Sequence, residues 1–205
     1  MQTVKTKFFE YGLREISYLK KVDRTLGEAI DRLGKVEREI IPDLFQALIF
    51  AIVGQQISVK AAHTIWQRMQ DRFGEITAHN ISKTSIDDIK LCGMTTRKAG
   101  YINNISNDVH HGNFNLNELY KLPDKEVIKR LSSMPGIGQW TSEMLLINSM
   151  ERPDIVSYGD IAIRRGMTKL YGLSELSKEQ FNECKNRYSP YGSVASIYLW
   201  KISFQ

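Results

Sequence analysis

The chain is 205 residues long, enough for one domain or for two small ones sharing an interface. With 42% hydrophobic and 25% charged residues it is not a disordered chain, a collagen-like chain or a coiled-coil rod. A formal net charge of +5 permits a nucleic-acid partner without arguing for one.

Residues 1–40 are charged and mixed, with only weak helical spacing through Leu26, Ile30 and Leu33. The opening, MQTVKTKFFEYG, lacks the apolar stretch of a leader, so a bacterial-type cytosolic address is expected. Pro42 reads as a first-turn residue of a helix running through the apolar stretch Ala47–Val53 to Gly54. That stretch is far short of the ~18–20 residues that cross a bilayer, and no membrane partner is expected. Ser58 caps a second helix whose apolar face is Val59, Ala62, Trp66, Met69 and Phe73, with Gly74 as its stop. Ser85 and Asp88 resemble a capping pair for a short helix ending near Cys92-Gly93. Thr95 or Thr96 opens a helix with Ile102, Ile105 and Val109 inward and Gly112 as the stop.

Pro123-Asp124 opens a further helix, followed by the turn Met134-Pro135-Gly136-Ile137-Gly138 and a helix from Gln139 to about Ser149. Residues 161–171, 177–188 and 194–204 read as three more helices. No sustained alternation and no hairpin dipeptide marks a strand, so the fold class is all-α. Two cysteines, Cys92 and Cys184, cannot build a four-thiolate metal site. His63, His79, His110 and His111 are scattered, with no metal-binding spacing. No cofactor is expected.

The segment Leu131–Thr141, LSSMPGIGQWT, carries the most chemistry. Its Gly136-X-Gly138 lets the backbone approach another molecule closely, and the helix after it points free N–H groups and a positive dipole end outward. That arrangement cradles a phosphate without a charged side chain. Asp160, just before Ile161-Ala162-Ile163, has the position of a helix N-cap. Such a cap keeps a carboxylate ionised.

These segments resemble the helix–hairpin–helix DNA glycosylase superfamily, whose pattern is Leu-Pro-Gly-Ile-Gly followed by a Gly/Pro-rich loop and an aspartate. Here that loop is Val156-Ser157-Tyr158-Gly159-Asp160. Val53-Gly54-Gln55-Gln56-Ile57-Ser58, Tyr188-Ser189-Pro190-Tyr191 and Tyr198-Leu199-Trp200 are similar to the alkylation-repair branch, the 3-methyladenine DNA glycosylase II family. The likeness runs in order from about residue 43 to 202, and it is to the compact, all-helical version of the branch. It implies two helical subdomains with a cleft between them: 41–149, ending in the helix–hairpin–helix, and 1–40 with 150–205, carrying the catalytic aspartate. Bifunctional relatives place a nucleophilic lysine two residues after the second hairpin glycine; here that residue is Trp140, which cannot form a Schiff base.

The resemblance implies a monofunctional glycosylase that flips an alkylated base out of duplex DNA and hydrolyses its N-glycosidic bond. Asp160 is the implied catalytic residue, its charge stabilising an oxocarbenium-like sugar. Trp140, Met144, Trp200 and Gln55 are the implied base pocket; Met144 stands where some relatives have tyrosine. Gln56, Pro135, Gly136, Ile137, Gly138, Thr141 and Arg164 are the implied DNA contacts. Gln56 takes the place of a duplex wedge, although by residue type alone it is equally a solvated amide at a helix end. Backbone carbonyls of Ser132, Met134 and Ile137 are an implied monovalent-cation site at the hairpin. The expected partner is double-stranded DNA with a damaged base, bound by a monomer. Two alternatives stay open: a non-catalytic helix–hairpin–helix DNA-binding module, and a glycosylase for oxidised or deaminated bases.

Overall fold

Capping side chains and apolar stripes divide the chain into helices, as the computed structural model shows for residues 4–205. Among the described residues there are thirteen helices and two strands of two residues each. In chain order they are β1 (Lys7–Phe8), α1 (Leu13–Val22), α2 (Arg24–Leu33), β2 (Glu39–Ile40), α3 (Leu44–Gly54), α4 (Val59–Phe73), α5 (Ala78–Ser82) and α6 (Ile86–Lys90). Then follow α7 (Thr96–His110), α8 (Leu116–Leu119), α9 (Asp124–Ser132), α10 (Gln139–Asn148), α11 (Ile161–Leu170), α12 (Lys178–Tyr188) and α13 (Gly192–Ser203). The fold class is all-α, as expected. Among the described residues no helix is long and apolar enough to cross a membrane.

The chain forms two compact units: the residues through Lys7 with Ile41–Leu145, and Phe8–Ile40 with Leu146–Gln205. The change of unit after Leu145 lies inside α10 rather than after it, and the residues through Lys7 belong with the first unit. In the first unit α3 is apolar on nearly every side, with Leu48, Ile49, Ile52 and Val53 fully buried, so it is the helix the others cover. Pro42 lies before this helix rather than in its first turn, and Asp43 is the cap, accepting from the Gln46 N–H at 2.7 Å. Ser58 caps α4 and accepts from the Ala61 N–H at 3.2 Å. Val59 is exposed rather than inward, because the α4 stripe begins one turn later at Ala62. Val109 is only half-buried, one residue before the end of α7. The short helices α5 and α8 carry too few residues for a periodic signal, and the two-residue strands give no alternation to read.

In the second unit α13 is buried along its whole length except at Lys201. Gly166 of α11 makes this possible: a Cβ there would collide with the Leu199 backbone carbonyl of α13. The two helices therefore pack backbone against backbone, and side chains flanking that contact are brought close together. Asp23, buried at the start of α2, joins the same unit together. It accepts from the Leu26 N–H at 2.9 Å, from Tyr171 Oη at 2.5 Å and from an Arg187 guanidinium nitrogen at 2.7 Å.

Candidate active site

In the first unit the hairpin between α9 and α10 is a set of tight turns. Met134 N–H donates to the Leu131 carbonyl, and Ile137 N–H to the Met134 carbonyl, each at 3.1 Å. Ser142 Oγ donates to the Gly138 carbonyl and lies within hydrogen-bond reach of Ser132 Oγ, both at 3.0 Å, so the first turn of α10 is tied back onto α9. Ile137 and Thr141 are buried and anchor the turn, while Pro135, Gly138 and Trp140 are exposed.

The two hairpin glycines serve different ends. Gly136 has φ +84°, a left-handed conformation, and a Cβ there would collide with the Tyr101 ring. Gly138 has neither constraint: its φ is not left-handed, and a Cβ would meet no protein atom within 4 Å. Nothing inside the protein requires the absence of a side chain at Gly138, which leaves its surface open to close approach by another molecule.

Gln55 reaches this hairpin directly, its Nε2 donating to the Gly136 carbonyl at 2.8 Å. Lys98 steadies the end of α3 by donating to the carbonyls of Val53 at 2.9 Å and Gln55 at 2.5 Å, and burial pushes its ammonium pKa down. The neighbouring Gln56 is exposed, with φ +57°. A non-glycine residue in that region is strained by roughly 1–3 kcal/mol, a condition concentrated at functional sites. Trp140 and the half-buried Met144 stand one turn apart on α10.

The second unit supplies a carboxylate in a defined setting. Asp160 is only 7% exposed and caps α11, its Oδ1 accepting from the Ile163 N–H at 2.9 Å. The same Oδ1 accepts from the Trp200 indole Nε1 at 3.2 Å, across the close contact that Gly166 permits. Capping thus engages Oδ1, the same oxygen that Trp200 reaches.

Arg38, which carries no sequence motif, joins this group. Its guanidinium lies 4.4 Å from the centroid of the Trp200 ring, and its Nε donates to Asn148 Oδ1 at 3.0 Å. The segment bearing it is strapped down at three points. Tyr198 Oη donates to the Gly34 carbonyl at 3.0 Å, Tyr11 Oη to the Val36 carbonyl at 2.5 Å, and Phe9 N–H to the Arg38 carbonyl at 2.8 Å. Burial pushes the Arg38 guanidinium pKa down, and the Asp160 charge opposes that shift.

Arg164 is not a freely solvated basic residue: its Nε is buried without a hydrogen bond and its guanidinium stacks 5.2 Å from the Tyr158 ring centroid. The histidines are less scattered than their numbering suggests. His110 lies 5.0 Å from His79 and 5.1 Å from His111, ring to ring, because α5 packs on the end of α7. Among the described residues no group of histidine, cysteine and carboxylate side chains could hold a metal ion. The hairpin carbonyls of Ser132, Met134 and Ile137 are hard oxygen donors of the kind that suits a monovalent cation. Met134, although it accepts from Ile137 N–H, keeps a second lone pair.

A tight hairpin opening an α-helix, together with a buried aspartate capping another, defines a class of protein. The chain belongs to the HhH-GPD superfamily of base excision DNA repair proteins, whose profile matches residues 49–190. Several of its relatives are 3-methyladenine glycosylases. It is 31% identical over 164 residues to DNA-3-methyladenine glycosylase 1 of Schizosaccharomyces pombe, covering 78% of this chain and 72% of that one. The crystal structure of a DNA-3-methyladenine glycosidase from Bacillus halodurans superposes with a TM-score of 0.87 at 32% identity, covering 96% of this chain and 92% of the other. A Schizosaccharomyces pombe 3-methyladenine DNA glycosylase in complex with abasic DNA superposes with a TM-score of 0.79 at 27% identity, covering 92% and 96%. The chain spans 58% of the length of a DNA-3-methyladenine glycosylase from Bacillus subtilis, to which it is 26% identical.

Proposed function

We propose that this protein is a monofunctional DNA glycosylase that removes alkylated bases such as 3-methyladenine and 7-methylguanine, the first step of base excision repair. The observation that carries this reading is the Asp160 carboxylate, buried at the head of α11 with Trp200 Nε1 on its Oδ1. In this reading the first unit grips the damaged strand. Gly138 and the N–H groups opening α10 receive phosphate oxygens, and a monovalent cation held by the Ser132, Met134 and Ile137 carbonyls adds positive charge there. Pro135, Ile137 and Thr141 shape that surface, and Arg164 adds charge from the second unit. The strained, exposed Gln56 fills the place of the extruded nucleotide. Gln55 acts one step back, holding the Gly136 carbonyl.

The flipped base stacks against Trp200, with Trp140 and Met144 as its other contacts. An alkylated purine is cationic, and aromatic faces attract such a ring by roughly 0.5–2 kcal/mol. As the bond from C1′ to the base nitrogen breaks, the electron pair leaves with the base, which departs neutral. Positive charge moves to the sugar, where the Asp160 carboxylate stabilises it. Water then bonds to C1′ and releases its proton to Asp160 or to solvent, leaving an intact abasic strand. The discriminating experiment is an excision panel on duplexes that each contain one lesion. Release of 7-methylguanine and 3-methyladenine is expected. Release of only 8-oxoguanine or uracil would move the chain to another substrate class, and binding without any release would make it a DNA-binding module.

A further inference from the structure

The chain leaves α3 through a turn that its own residues do not favour. Gln55 has φ −57° and ψ 127°, Gln56 has φ +57°, and the Ile57 N–H donates to the Gly54 carbonyl at 3.4 Å. Gly54–Ile57 is therefore a type II turn, whose third residue is ordinarily glycine because its φ is positive. Here that residue is Gln56, and its side chain is exposed. Strain of this kind persists only where the surroundings fix it. Lys98, from the first turn of α7, supplies the hold: its Nζ donates to the Val53 carbonyl at 2.9 Å and to the Gln55 carbonyl at 2.5 Å. Both carbonyls lie at the C-terminal end of α3, where carbonyls lack partners within the helix and a cation is favoured.

The second of those bonds decides the form of the turn. The Gln55 carbonyl and the Gln56 N–H share one planar peptide, the middle peptide of the turn. Types I and II differ by turning that peptide over, and in type I the third residue has an unstrained φ of about −90°. Lys98 on the Gln55 carbonyl holds the peptide in its type II orientation. Without it, relief of strain favours the flip, which rotates the Gln56 backbone and re-aims its side chain. We infer that Lys98 is a positioning residue for base extrusion: it locks the 54–57 turn in its type II form and so holds the exposed Gln56 side chain in place to fill the stack that the damaged nucleotide leaves. This inference rests on the glycosylase reading and on Gln56 as the duplex wedge.

The test is single-turnover excision of 7-methylguanine from two duplexes, one with cytosine opposite the lesion and one with an abasic analogue there. Extrusion from the second parts no base pair, so it leans less on a wedge. Lys98→Met should slow excision opposite cytosine on the order of tenfold, and opposite the abasic analogue by less than about threefold. Gln56→Ala should show the same selective slowing. In the Gln56→Ala background Lys98→Met should add less than about twofold, because the two residues act as one unit. If Lys98→Met does not fold, Lys98→Gln removes the charge with a smaller change of polarity and carries the same expectations. Equal slowing on both duplexes, or a full and roughly tenfold further loss in the Gln56→Ala background, would make Lys98 merely structural and overturn the inference. So would a Lys98→Met or Gln56→Ala variant as fast as wild type opposite cytosine. Each of those results leaves the glycosylase reading intact. A wild type that releases 7-methylguanine from neither duplex would overturn both.

Discussion

Replacing Asp160 by Asn removes the charge and can keep an acceptor oxygen where two hydrogen bonds end. Asp160 Oδ1 accepts from the Ile163 N–H at 2.9 Å and from Trp200 Nε1 at 3.2 Å. An asparagine oxygen in that place accepts the same two, and Asn is as good an N-cap as Asp. What changes is charge assistance, worth roughly 0.5–1 kcal/mol for each bond. Arg38 also loses its neighbouring negative charge but keeps its stack on Trp200 and its bond to Asn148. The total is about 1–2 kcal/mol, a fall in Tm of about 2–8 °C for a chain of this size. The catalytic loss is larger, since removing a preorganised charge from a developing cation commonly lowers rate by about 10²–10³-fold. Single-turnover excision of 7-methylguanine and a melting curve on one preparation decide the matter, with lesion-duplex binding as the control that should persist. If the variant melts within that range and excises within about threefold of wild type, the electrostatic role of Asp160 is wrong. If it melts far lower, the carboxylate is a structural keystone first.

The two hairpin glycines should part company. Gly138→Ala should melt like wild type, since its Cβ meets no protein atom, and yet bind any duplex several-fold more weakly. Gly136→Ala should lose about 1–3 kcal/mol of stability from its left-handed φ and the Tyr101 collision. Wild-type affinity in Gly138→Ala, measured by fluorescence anisotropy, would refute the phosphate cradle. Borohydride should trap no protein–DNA adduct, and the product strand should be cut only after alkali. Lys98 is the amine to watch, because burial pushes its pKa down near the hairpin, but its Nζ donates to the Val53 and Gln55 carbonyls. An adduct mapped to Lys98 would make the enzyme bifunctional.

Much of what depends on neighbours along the chain is legible in the sequence. Capping is such a property: Ser58, Ser85, Thr95 and Asp160 each accept from an N–H three residues on, and each was recognisable from its place before an apolar run. The turn Pro135-Gly136-Ile137-Gly138 and the all-α class followed in the same way, from glycine and from helical spacing. Long-range packing supplied what the sequence could not. Gly136 and Gly138 look alike in sequence and differ only because the Tyr101 ring, brought in by α7, lies against one of them. Gln55 turned to the hairpin because Gly136 offered its carbonyl there. Arg38, in the unremarkable run Glu37-Arg38-Glu39, reaches Trp200 only because Gly34, Val36 and its own carbonyl are tied down by Tyr198, Tyr11 and Phe9. Local patterns set which helices form and where each begins. Which charge lies on which ring is set by backbone contacts between residues far apart in sequence, and no short-range pattern encodes those.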